Sequence, residues 1–471
     1  MTRLSNATLG QARAAKPAAR PGGTGIVHFG PGAFHRAHQA DYIDRLIATD
    51  PRWGVALVSL RSGRTVADMA EQDGLYTLAI RDAEPSVRII GCHTHLLGPA
   101  DAAATRALLA APETRLVTTT ITEKGYCLGP DGALDPAHPD IAADLKGEGA
   151  PVSAIGWIVA GLADRQAAGL QPFVVMPCDN MADNGAKMRA ALLAFAAERD
   201  PALADWLAGE LRVPATMVDS ITPASDAAFL ADVEQAIGLE DRAAVQREAF
   251  AQWVIEDVGD IGPDLAAVGV EVTRDVAGFE RAKLRILNGS HSTLAYLGLL
   301  RGHASVAEAM GDAALAHYVE AMIVEEIAPM LPAVPGLDLD RYRAAVLQRF
   351  RNPVIVHALA QIAWDGSQKL PYRLYDTILA NRAAGRMPRR ALGAVAGWLA
   401  FVAARARSGT AIVDPLGEEL ARLGGDAAAV MAGFTADPRL CPPALAGDAA
   451  AVEAVAGALA GLLADPGRLP A

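Results

Sequence analysis

Four side chains suited to proton transfer fall close together in the stretch Phe279-Glu-Arg-Ala-Lys-Leu-Arg-Ile-Leu-Asn-Gly-Ser-His-Ser292. No proline interrupts it, and Leu284, Ile286 and Leu287 supply apolar positions, so it reads as helix. At about 100° per residue with Lys283 as zero, Glu280 lies near 60°, His291 near 80° and Asn288 near 140°. An amine, a carboxylate, an imidazole and an amide then share one face. Each has a task at a hydroxyl-bearing carbon: a desolvated lysine takes the proton, an amide holds an alkoxide, an imidazole orients a second oxygen. The bland reading is a solvated polar face. Leu284, Leu287, Leu294 and Tyr296 are too apolar for open surface, so the polar face is expected to line a cleft.

The elements upstream look like a nucleotide-binding fold. Gly25-Ile-Val-His-Phe-Gly30 is a short apolar strand, and Gly30-Pro-Gly32 turns it into a helical stretch reaching about Ile47. A glycine pair at such a turn lets the backbone approach a pyrophosphate. The third glycine of the usual pattern is missing: His35 holds its place and Arg36 follows. A second strand, Trp53 to Leu60, ends in Arg61-Ser62-Gly63-Arg64, where an acid favours NAD. The two arginines leave room for the 2′-phosphate of NADP, or are simply solvated.

Leu75 to Ile80 and Val87 to Leu97 are expected as a strand pair on the sheet edge. His93 and His95 would face one side there without a third ligand, so no metal is expected. A β-branched strand from Arg115 to Thr122 ends in Glu123-Lys-Gly-Tyr126, where α/β enzymes place ligands; an ordinary loop ion pair is the alternative. Ser153 to Ala168 reads as helix. Gln171 to Pro177 is a strand running into Cys178-Asp-Asn180, either an Asx turn or a placement of Asn180 at the reacting oxygen. Thr216 to Pro223 and Phe250 to Asp257 add two short segments. After about Leu294 strand-like runs vanish and helical stretches follow one another. Within them, Asp365-Gly-Ser-Gln-Lys-Leu-Pro-Tyr-Arg373 is a polar break whose Lys369 and Arg373 either neutralise a carboxylate or are solvated in a helix-joining loop.

At 471 residues the chain is too long for one core. The expected division is a polar N-terminal arm over 1–24, a Rossmann-like α/β domain over 25–276 and a mostly α-helical domain over 277–471, the two domains enclosing a cleft. A net charge of −12 argues against nucleic acid or an anionic membrane as partner. Cys92, Cys127, Cys178 and Cys441 are scattered, without a C-x-x-C pair, which suits neither a disulfide framework nor a zinc knuckle. With no long apolar run and no secretory pattern, a cytoplasmic protein is expected, monomeric or a weak homo-oligomer.

Taken together, Ile26-Val-His-Phe-Gly-Pro-Gly-Ala-Phe-His-Arg-Ala-His-Gln39, Cys178-Asp-Asn180, Gln252-Trp-Val-Ile-Glu-Asp257 and Lys283-x₄-Asn288-x₂-His291 resemble the long-chain mannitol dehydrogenase family of polyol-specific reductases. The resemblance runs from about residue 25 to 400. Thr122-Glu-Lys-Gly-Tyr-Cys127 and Asp365-Gly-Ser-Gln-Lys-Leu-Pro371 look more like the fructuronate reductase branch than the mannitol 2-dehydrogenase branch. The resemblance implies metal-independent hydride transfer with NAD, NADP remaining open. Lys283 would be the acid/base, Asn180 and Asn288 the oxyanion hole, His291 the substrate-positioning group, and Glu280 a relay for protons. The coenzyme set would be Gly30, Gly32, Ala33, Phe34, Arg36, Arg61, Thr122 and Glu123, and the substrate set Lys124, Asp179, Lys369 and Arg373. Two departures stand out: Ala215 and Ser220 replace a cysteine and an arginine common in the family, and the Arg61-Ser62 turn lacks an acid. The expected reaction interconverts D-fructuronate and D-mannonate. The alternatives are a neutral polyol dehydrogenase acting on mannitol or arabinitol, or a non-catalytic nucleotide-binding sensor, which would have no need of Lys283.

Overall fold

Strands buried on both faces need continuous aliphatic and β-branched runs rather than alternating ones, and the first half of the chain has several. The structure, a computed structural model, describes residues 2–470. The chain divides into two compact units, Met1–Ala277 and Gly278–Ala471.

The described strands of unit 1 are β1 (Thr24–Phe29), β2 (Gly54–Val58), β3 (Tyr76–Ile80), β4 (Ser86–Ile90), β5 (His93–Leu97), β6 (Leu116–Thr119), β7 (Val174–Pro177), β8 (Thr216–Asp219), β9 (Val245–Arg247), β10 (Gln252–Glu256) and β11 (Glu271–Thr273). Five of them form a parallel sheet in the order β5-β2-β1-β6-β7. Ile26, Leu57, Leu116 and Met176 enter one apolar cluster, while Val27, Val58, Val117 and Val175 enter another on the opposite face. The chain passes from β1 to β2 on one side and later to β6 on the other. Strand order therefore reverses at β1, and ligands bind outside the strand C-termini at such a point.

Three expectations for this unit are corrected. The stretch 75–97 is not one edge pair: β3 and β4 pair antiparallel but join β9 in a separate sheet, whereas β5 edges the parallel one. The chain changes sheets at Gly91-Cys92, where the Gly91 N–H donates to Asp44 at 2.7 Å. The N-terminal segment, expected as a polar arm, packs against this unit through apolar residues. Leu4 is fully buried with Phe229, Val233 and Ile237, and its N–H donates to Glu240 O at 2.9 Å. The helical stretch after the glycine turn is two pieces, Ala33–Ala37 and Gln39–Leu46. They break at His38, which hydrogen-bonds Gln252 O at 3.0 Å through Nε2.

In unit 2 the described residues are helical apart from turns, loops and an isolated bridge between Ser305 and Ala358. The helix Gly289–Leu300 is its centre, buried from Gly289 to Gly298, and the helix Arg389–Ser408 packs on it with Ala449–Ala464 behind. The stretch expected as regular helix is not regular. Lys283–Asn288 winds as a π-helix between Val276–Ala282 and Gly289–Leu300. Its i→i+5 bonding widens the turn relative to an α-helix. The wider turn brings Asn288 angularly closer to Lys283 than the α-helical offset of about 140° would. Two further π segments, Met322–Ile327 and Pro371–Tyr375, pack against it. The polar break at 365–373 is itself helical: Gly366–Leu370 continues through Pro371–Tyr375 into Asp376–Ala383. Proline lacks an N–H and crowds the preceding turn, which the widened π turn accommodates.

Candidate functional site

At the C-terminal ends of β1, β2 and β6 lies a cleft of about 590 Å³ lined by Gly30, Gly32, Ser59, Arg61, Thr122 and Lys124, among others. Gly30 sits at φ +116, and a Cβ there would stand 2.4 Å from Thr120 O, so only glycine closes this turn. A Cβ on Gly32 would meet nothing within 4 Å. The backbone of the turn is thus bare toward the cleft, the condition a pyrophosphate needs for close approach. The residues present fit a dinucleotide.

Not every residue expected to hold the coenzyme reaches this cleft. Arg36 turns inward, donating to Pro31 O at 3.1 Å and to Ala243 O, and lies over the Tyr76 ring. Burial lowers its pKa. Phe34 stacks on His38 with centroids 5.0 Å apart, Ala33 packs against the same core, and Glu123 is exposed on the turn after β6, outside the cleft lining. His35, in place of the third glycine, is buried and stacks on His28 at 3.5 Å. His28 Nδ1 bonds Thr118 Oγ1 at 2.6 Å and its Nε2 lies 2.9 Å from Thr120 Oγ1. Burial pushes His28, His38 and His93 down to about 3 and His35 well below its ordinary value. This neutral cluster props the glycine turn from behind. His93 and His95 do not share a side as expected: a register shift in the β2–β5 pairing leaves His93 buried beside His35 and His95 exposed.

A metal has one candidate corner among the described residues. The ligand atoms of Cys127, His138 and Asp140 lie within 4.8 Å of one another. Burial and the Asp140 charge push the Cys127 thiol up to about 11, and the Asp140 carboxylate is paired with Arg61. Both oppose metal binding. Beyond β7, Asp179 accepts from Tyr126 Oη at 2.5 Å, and burial raises its pKa to about 6 despite that bond; Asn180 beside it is exposed.

In unit 2, Lys283 is 9% and His291 7% exposed, with Glu280 and Asn288 half-buried nearby on the same helical run. The π turn runs from Lys283 to Asn288, and His291 follows in the next turn of the helix Gly289–Leu300. His291 is wedged between Phe350 and His357, with ring centroids at 4.5 Å and 4.8 Å, and its Nε2 is buried without a partner. Burial first, then His357, Arg349 and Arg373, holds it neutral. Arg373 reaches the same place, donating from Nη1 to Ser292 Oγ at 3.1 Å, while its Nε is enclosed and unpartnered. Burial lowers its pKa against the pull of Tyr372 and Tyr296, and no carboxylate is among the groups acting on it. Gly289 makes this possible: a Cβ there would stand 2.8 Å from Arg373 O. Lys369, by contrast, is engaged, donating to Trp364 O at 2.7 Å with Asp365 at 3.8 Å.

Phe350, His357 and Asp140 were not singled out in the sequence. Their neighbours are set by packing between distant segments, and none stands in a spacing pattern that marks it. At the two departure positions, the Ala215 N–H donates to Glu256 Oε2 at 2.9 Å and Ser220 Oγ to Phe250 O at 3.0 Å, so both serve the second sheet.

Comparison with known proteins gives two domain matches: the mannitol dehydrogenase Rossmann domain over residues 24–266 and the mannitol dehydrogenase C-terminal domain over 275–433. D-mannonate oxidoreductase of Escherichia coli is 41% identical over 409 residues, covering 84% of each chain. A mannitol 2-dehydrogenase of Phaeosphaeria nodorum is 39% identical over 409 residues, 84% of this chain and 72% of that one. The structure of Pseudomonas fluorescens mannitol 2-dehydrogenase in ternary complex with NAD and D-mannitol aligns with a TM-score of 0.81 at 37% identity, over 99% of this chain and 98% of that one. On its two domain matches and these identities, the chain belongs to the mannitol dehydrogenase family of oxidoreductases.

Proposed function

We propose that the protein interconverts D-fructuronate and D-mannonate with NAD(H). Gly30, Gly32, Ser59, Arg61 and Thr122 would hold the nicotinamide coenzyme in the unit 1 cleft, where it would supply or accept the hydride. Lys283 trades the hydroxyl proton, Asn288 steadies the oxygen as charge develops on it, and neutral His291 uses its free Nε2 to orient the substrate. Asn180 is assigned to the same oxygen as Asn288, and Glu280 to proton passage, by family resemblance.

The observation that carries the uronate reading is Arg373. A partly buried guanidinium beside His291, with an enclosed N–H unpartnered and no carboxylate acting on it, is costly unless an anion arrives. A uronate brings that anion; a ketose does not. Arg373 is a better candidate for it than Lys369, whose ammonium is already held. The identity to D-mannonate oxidoreductase supports the same choice. The second reading, a neutral polyol dehydrogenase, is supported by comparable identity to mannitol 2-dehydrogenases.

The test is a comparison of D-fructuronate with D-fructose under NADH. A charge-assisted hydrogen bond is worth about 1.5–3 kcal/mol, so fructuronate should win by roughly 10- to 150-fold in kcat/KM. Arg373→Met should remove most of that margin while sparing fructose. Equal or better turnover of fructose by the unaltered enzyme would refute the uronate assignment.

A further inference from the structure

In folds of this type, an acid at the end of the second strand accepts from the adenosine ribose of NAD and disfavours the 2′-phosphate of NADP. After β2 this chain has Arg61-Ser62-Gly63-Arg64, which by itself would suit NADP. The cleft nevertheless contains a carboxylate. Asp140 lines it together with Arg61 and Ser62, and forms an ion pair with Arg61. Its side chain is 17% exposed against 74% for Arg61, so the carboxylate is the fixed partner and the guanidinium the loose one. Asp140 is held in the first turn of the helix Pro139–Lys146. Proline fixes the entry and the Asp140 N–H donates to His138 Nδ1 at 3.3 Å. A carboxylate is favoured at that end of a helix. The other arginine of the turn, Arg64, has its own acid 3.9 Å away, Asp68.

We propose that Asp140, supplied by a helix about eighty residues downstream of β2, does the work of the missing strand-end acid and sets the coenzyme preference. Its carboxylate accepts from the ribose hydroxyls and repels a 2′-phosphate. By pairing with Arg61 it also withdraws the cation that a 2′-phosphate would otherwise find. The inference rests on the NAD(H) reading above but not on the identity of the sugar.

The experiment measures Kd for NADH and NADPH by fluorescence titration, without sugar substrate, on the full-length protein, Asp140→Asn and Asp140→Asn/Arg61→Gln. The unaltered protein should prefer NADH by about tenfold or more, and Asp140→Asn should shift the Kd ratio toward NADPH by roughly tenfold, the scale set by a single charge-assisted hydrogen bond. That shift should shrink as salt is raised, because the site is open. Removing Arg61 as well should return the ratio toward its starting value. Thermal unfolding of each variant shows that a folded protein is being titrated, and Asp140→Ala serves if Asp140→Asn does not fold. A folded variant whose ratio stays within twofold of the original overturns the role of Asp140 and leaves the coenzyme reading standing. Failure of both nucleotides to bind the unaltered protein overturns both.

Discussion

In the proposed reaction Lys283, which shares its helical run with an amide and with an imidazole that burial keeps neutral, is the group that exchanges the proton. Lys283→Ala should therefore lower kcat by roughly 10² or more and leave the Kd for NADH within a few-fold. Steady-state rates and a nucleotide titration check the two halves; a kcat within a few-fold of the original would remove Lys283 from the mechanism. Asp179 offers a pH test. Its carboxyl rises from 3.8 to about 6 on folding, so the folded state favours the protonated form. Stability is then lost as pH rises from about 4 to about 6, by up to about 3 kcal/mol. Asp179→Asn keeps an acceptor for Tyr126 without the buried charge. Its melting temperature should exceed the original's above pH 7, the gain shrinking as pH falls through about 6; a gain constant across that range would contradict the buried-charge account. Residue types were the most legible part of the site. The sequence marked Lys283, Asn288, His291 and Arg373 by type and spacing, but could not show that Arg36 turns inward or that Lys369 is already engaged.

Local pattern carried most elements of unit 1, because strands buried on both faces leave unbroken aliphatic runs, and the helix expected from Ser153 to Ala168 forms as Ala154–Ala167 with Ser153 as its cap. It failed where non-local pairing decides the outcome. Nothing in residues 75–97 says that β5 leaves β4 for another sheet, and nothing in Lys283–Asn288 distinguishes a π turn from an α turn, since both bury the same apolar residues. The π turn is fixed by what lies against it, including the Pro371–Tyr375 segment across Gly289. Gly289→Ala should push that segment away, costing roughly 1–3 kcal/mol of stability as overpacking does. It should also raise KM for an anionic substrate, since Arg373 moves with its backbone. Gly457 makes the comparison, lying inside the helix Ala449–Ala464 with nothing within 4 Å of a Cβ. Gly457→Ala should stabilise by about 0.4–1 kcal/mol. Chemical denaturation of the pair decides it: a Gly289→Ala protein as stable as the original would mean that the close approach is unimportant.

At the scale of the whole molecule, a net charge of −12 coexists with a cationic corner at Arg373 and Arg349 near His291. Such a local cluster can overrule the global field, which the uronate reading requires. Among the described residues no helix is long and apolar enough to cross a membrane. The histidines behind the glycine turn have a consequence for the protein's tolerance of acid. His28, His38 and His93 stay neutral in the folded state down to about pH 3, and burial holds His35 well below its ordinary value too, whereas an unfolded histidine takes its proton near 6.5. Unfolding in mild acid is therefore coupled to the uptake of about four protons, so stability is full above about pH 6.5 and falls as pH drops below it. With four sites the slope approaches about 5 kcal/mol per pH unit, enough to exhaust the stability of an ordinary domain within about two units. Unit 1 should collapse over a narrow interval near pH 4–5, well above the pH at which those histidines would titrate in the intact fold, and a melting-temperature profile against pH should show the steep edge. The nucleotide end of this enzyme works as an acid fuse.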